Sequence, residues 1–239
     1  MVLFRRYWHS SAVSSVLQPM IFLLGLGLGL GVFLDEVAGY RYIDFLATGI
    51  VAMGTMMSAA FPAMYNTYIR REFQKSYDAI LAAPIDVHEM VAAESLTIAV
   101  RAGIYGSVPV AAAIPLGLRP GPAALLVPLI CVLTGLGFAL FGAWMSAIVP
   151  AIDTFNYVNS AVLTPLFMVA GTFFPIESLP RWAFVAAQVN PLYHCVELVR
   201  HATFGLRPGA DLGHLAALLI FVALMWLLAV RSMRRKLID

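Results

Sequence analysis

Six stretches of mostly apolar residues run along the chain, at about 15–34, Tyr42–Tyr65, Met90–Ile114, Ala123–Val149, Phe155–Phe174 and Leu212–Val230. A membrane-crossing helix takes about 20 apolar residues. The pattern therefore predicts an all-α membrane protein with six transmembrane helices in a single domain spanning 1–239. The breaks between the stretches are short. Asp35, Glu36 and Gly39 close the first, LGLRPGP at Leu116–Pro122 makes a turn, and Pro150–Asp153 separates the fourth from the fifth.

Three segments depart from the pattern. Residues 1–14 mix Phe4, Tyr7 and Trp8 with Arg5, Arg6 and His9; this suits an interfacial helix at the membrane surface. The polar segment 66–89 contains an amphipathic stretch, Tyr68–Pro84. Ile69, Phe73, Tyr77 and Ile80 fall at helical spacing there, with Arg70, Arg71, Glu72, Gln74, Lys75 and Asp78 between them. Such a helix is either a docking element or one that rests on the headgroups. The segment 175–211 alternates Pro breaks with short apolar runs and carries Trp182 and Tyr193, residues suited to an interface. It reads as a pair of helices that dip into the membrane and return, or as an external loop whose apolar content is then unexplained.

Composition agrees with lipid as the solvent. The chain is 61% hydrophobic and 12% charged with a mean hydropathy of +0.86, against roughly a quarter charged in a soluble domain. The net charge of +2 says less than its placement. With the N-terminus inside, the inner segments hold Arg5, Arg6, Arg70, Arg71, Lys75, Arg231, Arg234, Arg235 and Lys236. The outer ones hold Arg41, Arg119, Arg181, Arg200 and Arg207. This bias puts both termini in the cytoplasm. The first apolar stretch is too long for a signal-peptide core and lacks a clear cleavage site, so it is expected to be a retained anchor. A disulfide between Cys131, inside an apolar run, and Cys195, outside one, is not expected. Cys195 is expected to be open to labelling from outside.

Catalytic motifs are scarce. Only two lysines occur, and no G-x-x-x-x-G-K-[ST] loop is present, so ATP is not bound here by that route. His88-Glu89 begins a zinc-protease motif, but position 92 is Ala. No metal site is expected. GLGLGLG puts Gly25 with Gly29 and Gly27 with Gly31 at four-residue spacing, a close-packing pattern of membrane helices. Glu94 and Arg101 share a face of the third stretch, about 10 Å apart along the axis. They either line a substrate pathway or make structural contacts. Asn156, Asn159, Ser160 and Thr164 in the fifth stretch either line the same path or hold helices together. Phe155, Tyr157, Phe167, Phe173 and Phe174 either touch acyl chains or face lipid.

The order of these elements resembles the permease subunits of ABC-2 type exporters. FPIESLPRW followed by NPLYHCVELVRHATFG is similar to that family's C-terminal signature, with Pro175, Pro180, Asn190, Pro191, Glu197, Arg200 and Gly205 matching. DFLATGIVAMGTMMSAAF and YIRREFQKSYDAILAAPI resemble the nodulation-type lipo-oligosaccharide exporters (the NodJ-like branch). The resemblance covers nearly the whole chain. Those relatives usually have a longer N-terminus, so this chain is expected to be trimmed or naturally short there.

The resemblance implies a permease homodimer in the bacterial inner membrane, paired with two copies of a separate ABC-type ATPase that carries ATP and Mg; no cofactor is expected on this chain, and no nucleic acid as partner. Arg70, Arg71, Glu72, Phe73, Lys75, Tyr77 and Asp78 would form the coupling helix. Residues 1–14 would gate the inner face. Phe174, Pro175, Pro180, Trp182, Asn190, Pro191, Tyr193, Glu197 and Arg200 would belong to re-entrant helices that close the outside. The cargo would be a lipid-linked or oligosaccharide-containing amphipathic molecule. Rival readings are a hydrophobic drug or antibiotic exporter on the same scaffold, a membrane assembly factor without transport, and an intramembrane hydrolase using Asp153 or His88.

Overall fold

Residues 42–72 are rich in Ala and Met, which favour helix. Asp44 lies in their first turn and Arg70 and Arg71 in their last, matching the helix dipole. In the computed structural model, which describes residues 17–178 and 180–237, they form one helix, α2 (Tyr42–Glu72). At about 46 Å, α2 outruns the roughly 30 Å hydrocarbon core, so its basic last turns extend past an apolar slab.

α2 is the centre of the bundle. Its most apolar 18-residue window is 83% buried, whereas that of the last helix, α11 (Pro208–Leu237), is 17% buried. α1 (Leu17–Val32) runs antiparallel along α2, with Gly27 facing Ile43 and Leu46 and Pro19 facing Gly54. A small hairpin joins them: β1 (Glu36–Val37) pairs antiparallel with β2 (Tyr40–Arg41). Its turn residues Ala38 and Gly39 have φ of 52° and 80°, the left-handed values that such tight turns require. After α2 come the short α3 (Ser76–Leu81), then α4 (Val87–Gly106) running on into α5 (Val108–Ala113). A 3₁₀ turn at Pro122–Leu126 leads into α6 (Val127–Ile148), which packs on α2, α4 and α11.

The fifth apolar stretch is shorter than its composition suggests. α7 (Thr154–Val158), a π turn at Asn159–Leu163 and α8 (Thr164–Met168) form one rod, about 22 Å long. The chain then turns at Gly171, where φ is 78°. α9 (Arg181–Val189) and α10 (Pro191–Phe204) follow, with α10 packed against α2, α6 and α11.

Among the described residues, four helical units are long and apolar enough to cross a membrane: Tyr42–Glu72, Val87–Ala113, Pro122–Ile148 and Pro208–Leu237. They match four of the six expected spans. The other two correspond to α1, whose described part has 16 residues, and to the 15-residue rod, which is shorter than predicted. Residues 1–14, expected as an interfacial helix, lie outside the described residues.

Among the described residues, only Gly27 of the glycine run lies at a close helix crossing, where a Cβ would stand 3.1 Å from Ile43 of α2. Gly25, Gly29 and Gly31 have no described atom within 4 Å of where a Cβ would stand. At Gly142 of α6 a Cβ would sit 2.5 Å from the Ala63 methyl and 2.7 Å from the Ala60 carbonyl oxygen of α2. Spacing shows that a small face exists, not which helix lies against it. Gly142→Ala is expected to destabilise the α2–α6 crossing by about 1–3 kcal/mol, measured as a lowered thermal midpoint in detergent, whereas Gly29→Ala should leave it unchanged.

Cys131 and Cys195 are both free and fully buried. α10 is enclosed by three helices, so Cys195 is closed to reagents from either side, contrary to the sequence expectation.

Candidate functional site

Two polar clusters stand at opposite ends of α2. The first lies where α2 gives way to α3 and α4. The Phe73 and Gln74 amides both bond back to the Ile69 carbonyl, ending α2, and Lys75 takes a left-handed φ of 50°. This break rotates the register. Tyr77 is 1% exposed and Phe73 is 69% exposed, so the single apolar face expected across Tyr68–Pro84 is split in two. Asp86 starts α4 with a capping box, its amide donating to Glu89 Oε2 at 3.1 Å.

Glu94 ties these pieces together. The Tyr77 hydroxyl donates to Glu94 Oε2, and Arg70 Nη1 lies 3.4 Å from Glu94 Oε1. Burial, followed by the Glu94 charge, pushes the Tyr77 phenol above its ordinary pKa, so it remains a donor. Arg71 is buried: its Nε donates to Glu72 at 3.0 Å and its guanidinium stands 5.3 Å from the Tyr68 ring centre. Tyr68 in turn donates to the Pro150 carbonyl at 3.1 Å. Arg70, Lys75 and Asp78 are exposed. They and Phe73 form the accessible face of the segment, and Arg71 belongs to its support.

The expected pathway residues are divided between elements. Of the two readings of Glu94, its bonds to α2 and α3 support the structural one. Arg101 lies two turns further along α4 and is half-buried. Asn156, Asn159 and Thr164 are on the α7–α8 rod. Asn156 is exposed and accepts from the Tyr65 hydroxyl at 3.5 Å, while Thr164 donates to the Asn159 carbonyl at 3.0 Å across the π turn. Phe155 is buried against Tyr65 and Tyr68, and Phe173 packs on Phe22 and Phe167.

The second cluster holds α9 and α10 to the bundle. Asn190 donates to the Leu166 carbonyl at 2.6 Å and accepts from the Leu192 amide at 3.0 Å. It thus caps α10 while satisfying the rod, and Pro191 takes the first helical position, where no amide is needed. Arg200, 7% exposed, donates to the Gly171 carbonyl at 2.6 Å and to Glu197 at 3.0 Å, and lies 3.8 Å over the Phe45 ring. His201 Nδ1 is 2.6 Å from Asp211, and His194 Nδ1 is 2.8 Å from His214 Nδ1. Tyr193 packs beside His194 and His214. Trp182 is 74% exposed; Phe174 and Pro175 are half-buried, and Pro180 is exposed at the start of α9. The links to Asp211 and His214 were not found from sequence. The i, i+4 spacing of Glu197 and His201 was visible, but nothing local indicates that α11 folds back onto them.

Comparison with known proteins fits this architecture. Residues 1–204 match the ABC-2 type transporter family. The chain belongs to that family. Nodulation protein J of Rhizobium leguminosarum bv. trifolii is 33% identical over 97% of this chain and 90% of its own length. Nodulation protein J of Sinorhizobium fredii is 31% identical over 97% and 90%. The inner membrane transport permease YadH of Escherichia coli is 23% identical over 97% and 90%. As an ABC-2 family member the chain is a membrane transporter permease subunit, and the family implies a partner ATP-binding subunit.

Proposed function

We propose that this permease exports a lipid-linked or oligosaccharide-containing amphipathic molecule across the bacterial inner membrane, driven by a separate ATPase that docks on α3. ATP and Mg belong to that partner; the working unit is a permease dimer with two ATPase copies. Both termini face the cytoplasm. α1 and the α7–α8 rod, each extended by neighbouring residues, complete six spans, and α9 and α10 re-enter from the outside. The resemblance to nodulation-type exporters and the similarity to nodulation protein J over 97% of this chain support this cargo class.

One observation carries the docking assignment. α3 is a six-residue helix, too short to persist alone. It is pinned by a buried tyrosine to a carboxylate on α4, and its Asp78 is exposed together with Lys75 just before it and Arg70 at the end of α2. Force applied to α3 therefore reaches α2 and α4 through one fixed contact, and ATP can shift the permease only if it favours one of its states.

Reversing the two exposed cations (Arg70→Glu with Lys75→Glu) is expected to abolish copurification of the cognate ATPase and vesicle transport, with the spans still inserted. Normal copurification and transport would sink the docking assignment. Uptake of lipid-linked oligosaccharide compared with hydrophobic drugs in the same vesicles tests the cargo separately.

A further inference from the structure

α6, α10 and α11 line a groove of about 620 Å³. Leu129 and Leu136 of α6 form one wall, Leu198 and Ala202 of α10 the floor, and Leu206 and Leu212 the other wall. Leu129 and Leu212 are 65% and 68% exposed, so the groove opens outward. The one charged residue that lines it, Asp211, has both oxygens engaged: one by His201 at 2.6 Å, the other by the Arg207 amide at 2.7 Å. The groove thus leaves no carboxylate seeking a partner, and aliphatic carbon is the fitting occupant.

Its length and its end identify that occupant. From Leu126, which ends the 3₁₀ turn, to Leu136 of α6 the lining runs about 15 Å, half of the roughly 30 Å hydrocarbon core. This is the depth of one leaflet. At the open end, exposed Arg207 stands between Leu206 and Pro208, which both line the groove. The Gly121 amide bonds the Thr203 carbonyl at 2.8 Å and brings the turn carrying exposed Arg119 to the same end. A chain-length apolar slot with cations at headgroup level matches an anionic phospholipid.

We propose that this groove is a specific site for one acyl chain of an anionic phospholipid, with the lipid phosphate held at Arg207. The site is separate from the α3 segment and does not depend on which cargo is exported. The arginine supplies headgroup preference; the leucine walls supply retention.

The test uses the full chain in nanodiscs containing phosphatidylglycerol with a diazirine near the acyl terminus. After illumination, crosslinks should concentrate on residues 126–136 and 206–215. Filling the groove from its exposed walls (Leu129→Trp with Leu212→Trp) should abolish them without changing the thermal midpoint. Arg207→Gln should lower labelling by phosphatidylglycerol about fivefold, to the level given by phosphatidylcholine. Labelling spread evenly over the exposed faces of α4 and α11, or equal from both lipids in the unaltered chain, would overturn the proposal. So would protein–protein crosslinks between two copies through the same peptides. Should the tryptophan pair unfold the chain, the crosslink distribution of the unaltered protein decides alone.

Discussion

Glu94→Leu is expected to cut ATP-driven transport in vesicles by more than about tenfold, a loss of roughly 1.4 kcal/mol or more in coupling, while the chain stays inserted and folded. Glu94 is the acceptor for Tyr77 and lies within reach of Arg70. With it gone, a tyrosine hydroxyl that is almost wholly buried loses its carboxylate acceptor, at a cost of about 1–3 kcal/mol. α3 has little else to hold it, being six residues long with Tyr77 as its one buried side chain. The crossings of α2, α4 and α6 are made elsewhere and should persist. Tyr77→Phe should reproduce the defect, because it removes the same hydrogen bond from the other side. Glu94→Gln, which keeps an oxygen for Tyr77, should retain most activity. Partner ATPase activity is the second readout: it should continue in Glu94→Leu, uncoupled from transport. Full transport in both Glu94→Leu and Tyr77→Phe would show that α3 needs no anchor on α4.

The long spans were legible because composition alone specifies them. Runs such as those forming α6 and α11 leave their backbone no stable option in lipid except helix. The α3 region was legible as polar and amphipathic, but not as a broken helix. Helical spacing placed Phe73 and Tyr77 on one face, and the left-handed turn at Lys75 separates them. That turn has no glycine or proline to announce it. Glu94 posed a different difficulty. Its position on α4 was clear, but a helical wheel gives a direction and no neighbour, so pathway lining and structural contact were indistinguishable until α3 was seen against it. The glycine run was only partly legible for the same reason. Gly25, Gly29 and Gly31 share the small-residue spacing, yet of the run only Gly27 meets α2 among the described residues, and a methyl group would clash harder at Gly142. In the C-terminal signature, Asn190-Pro191 could be read as a helix start from local chemistry. The Glu197 contacts of Arg200 and His201 are local, but the Gly171 carbonyl that Arg200 bonds lies 29 residues upstream and the Asp211 carboxylate beside His201 10 downstream, beyond the reach of any local pattern.

Arg200→Met is expected to destabilise the folded permease by about 3–5 kcal/mol, a loss visible as a strongly lowered thermal midpoint and low yield. Arg200 joins three elements at once: the Gly171 turn, Glu197 on its own helix and the Phe45 ring of α2. Methionine would fill much of the volume but would leave the Gly171 carbonyl without this donor and leave Glu197, whose side chain is 18% exposed, with only the more distant His201 Nε2 at 3.8 Å among the cations shown beside it. Arg200→Lys should be intermediate, since a single ammonium lacks the planar fork that serves two acceptors. The charge account also predicts non-additivity. Glu197→Gln with Arg200→Met removes both charges and should recover part of the loss, so a double-mutant cycle should give a coupling energy within the 0.5–3 kcal/mol found for contacting residues. A strictly additive double mutant would mean that Arg200 acts through packing on Phe45 and its bond to Gly171 alone. If Arg200→Met proved as stable as the unaltered chain, neither contact would be holding α10 in place, and its anchorage would have to be sought in the His194–His214 and His201–Asp211 links to α11 instead.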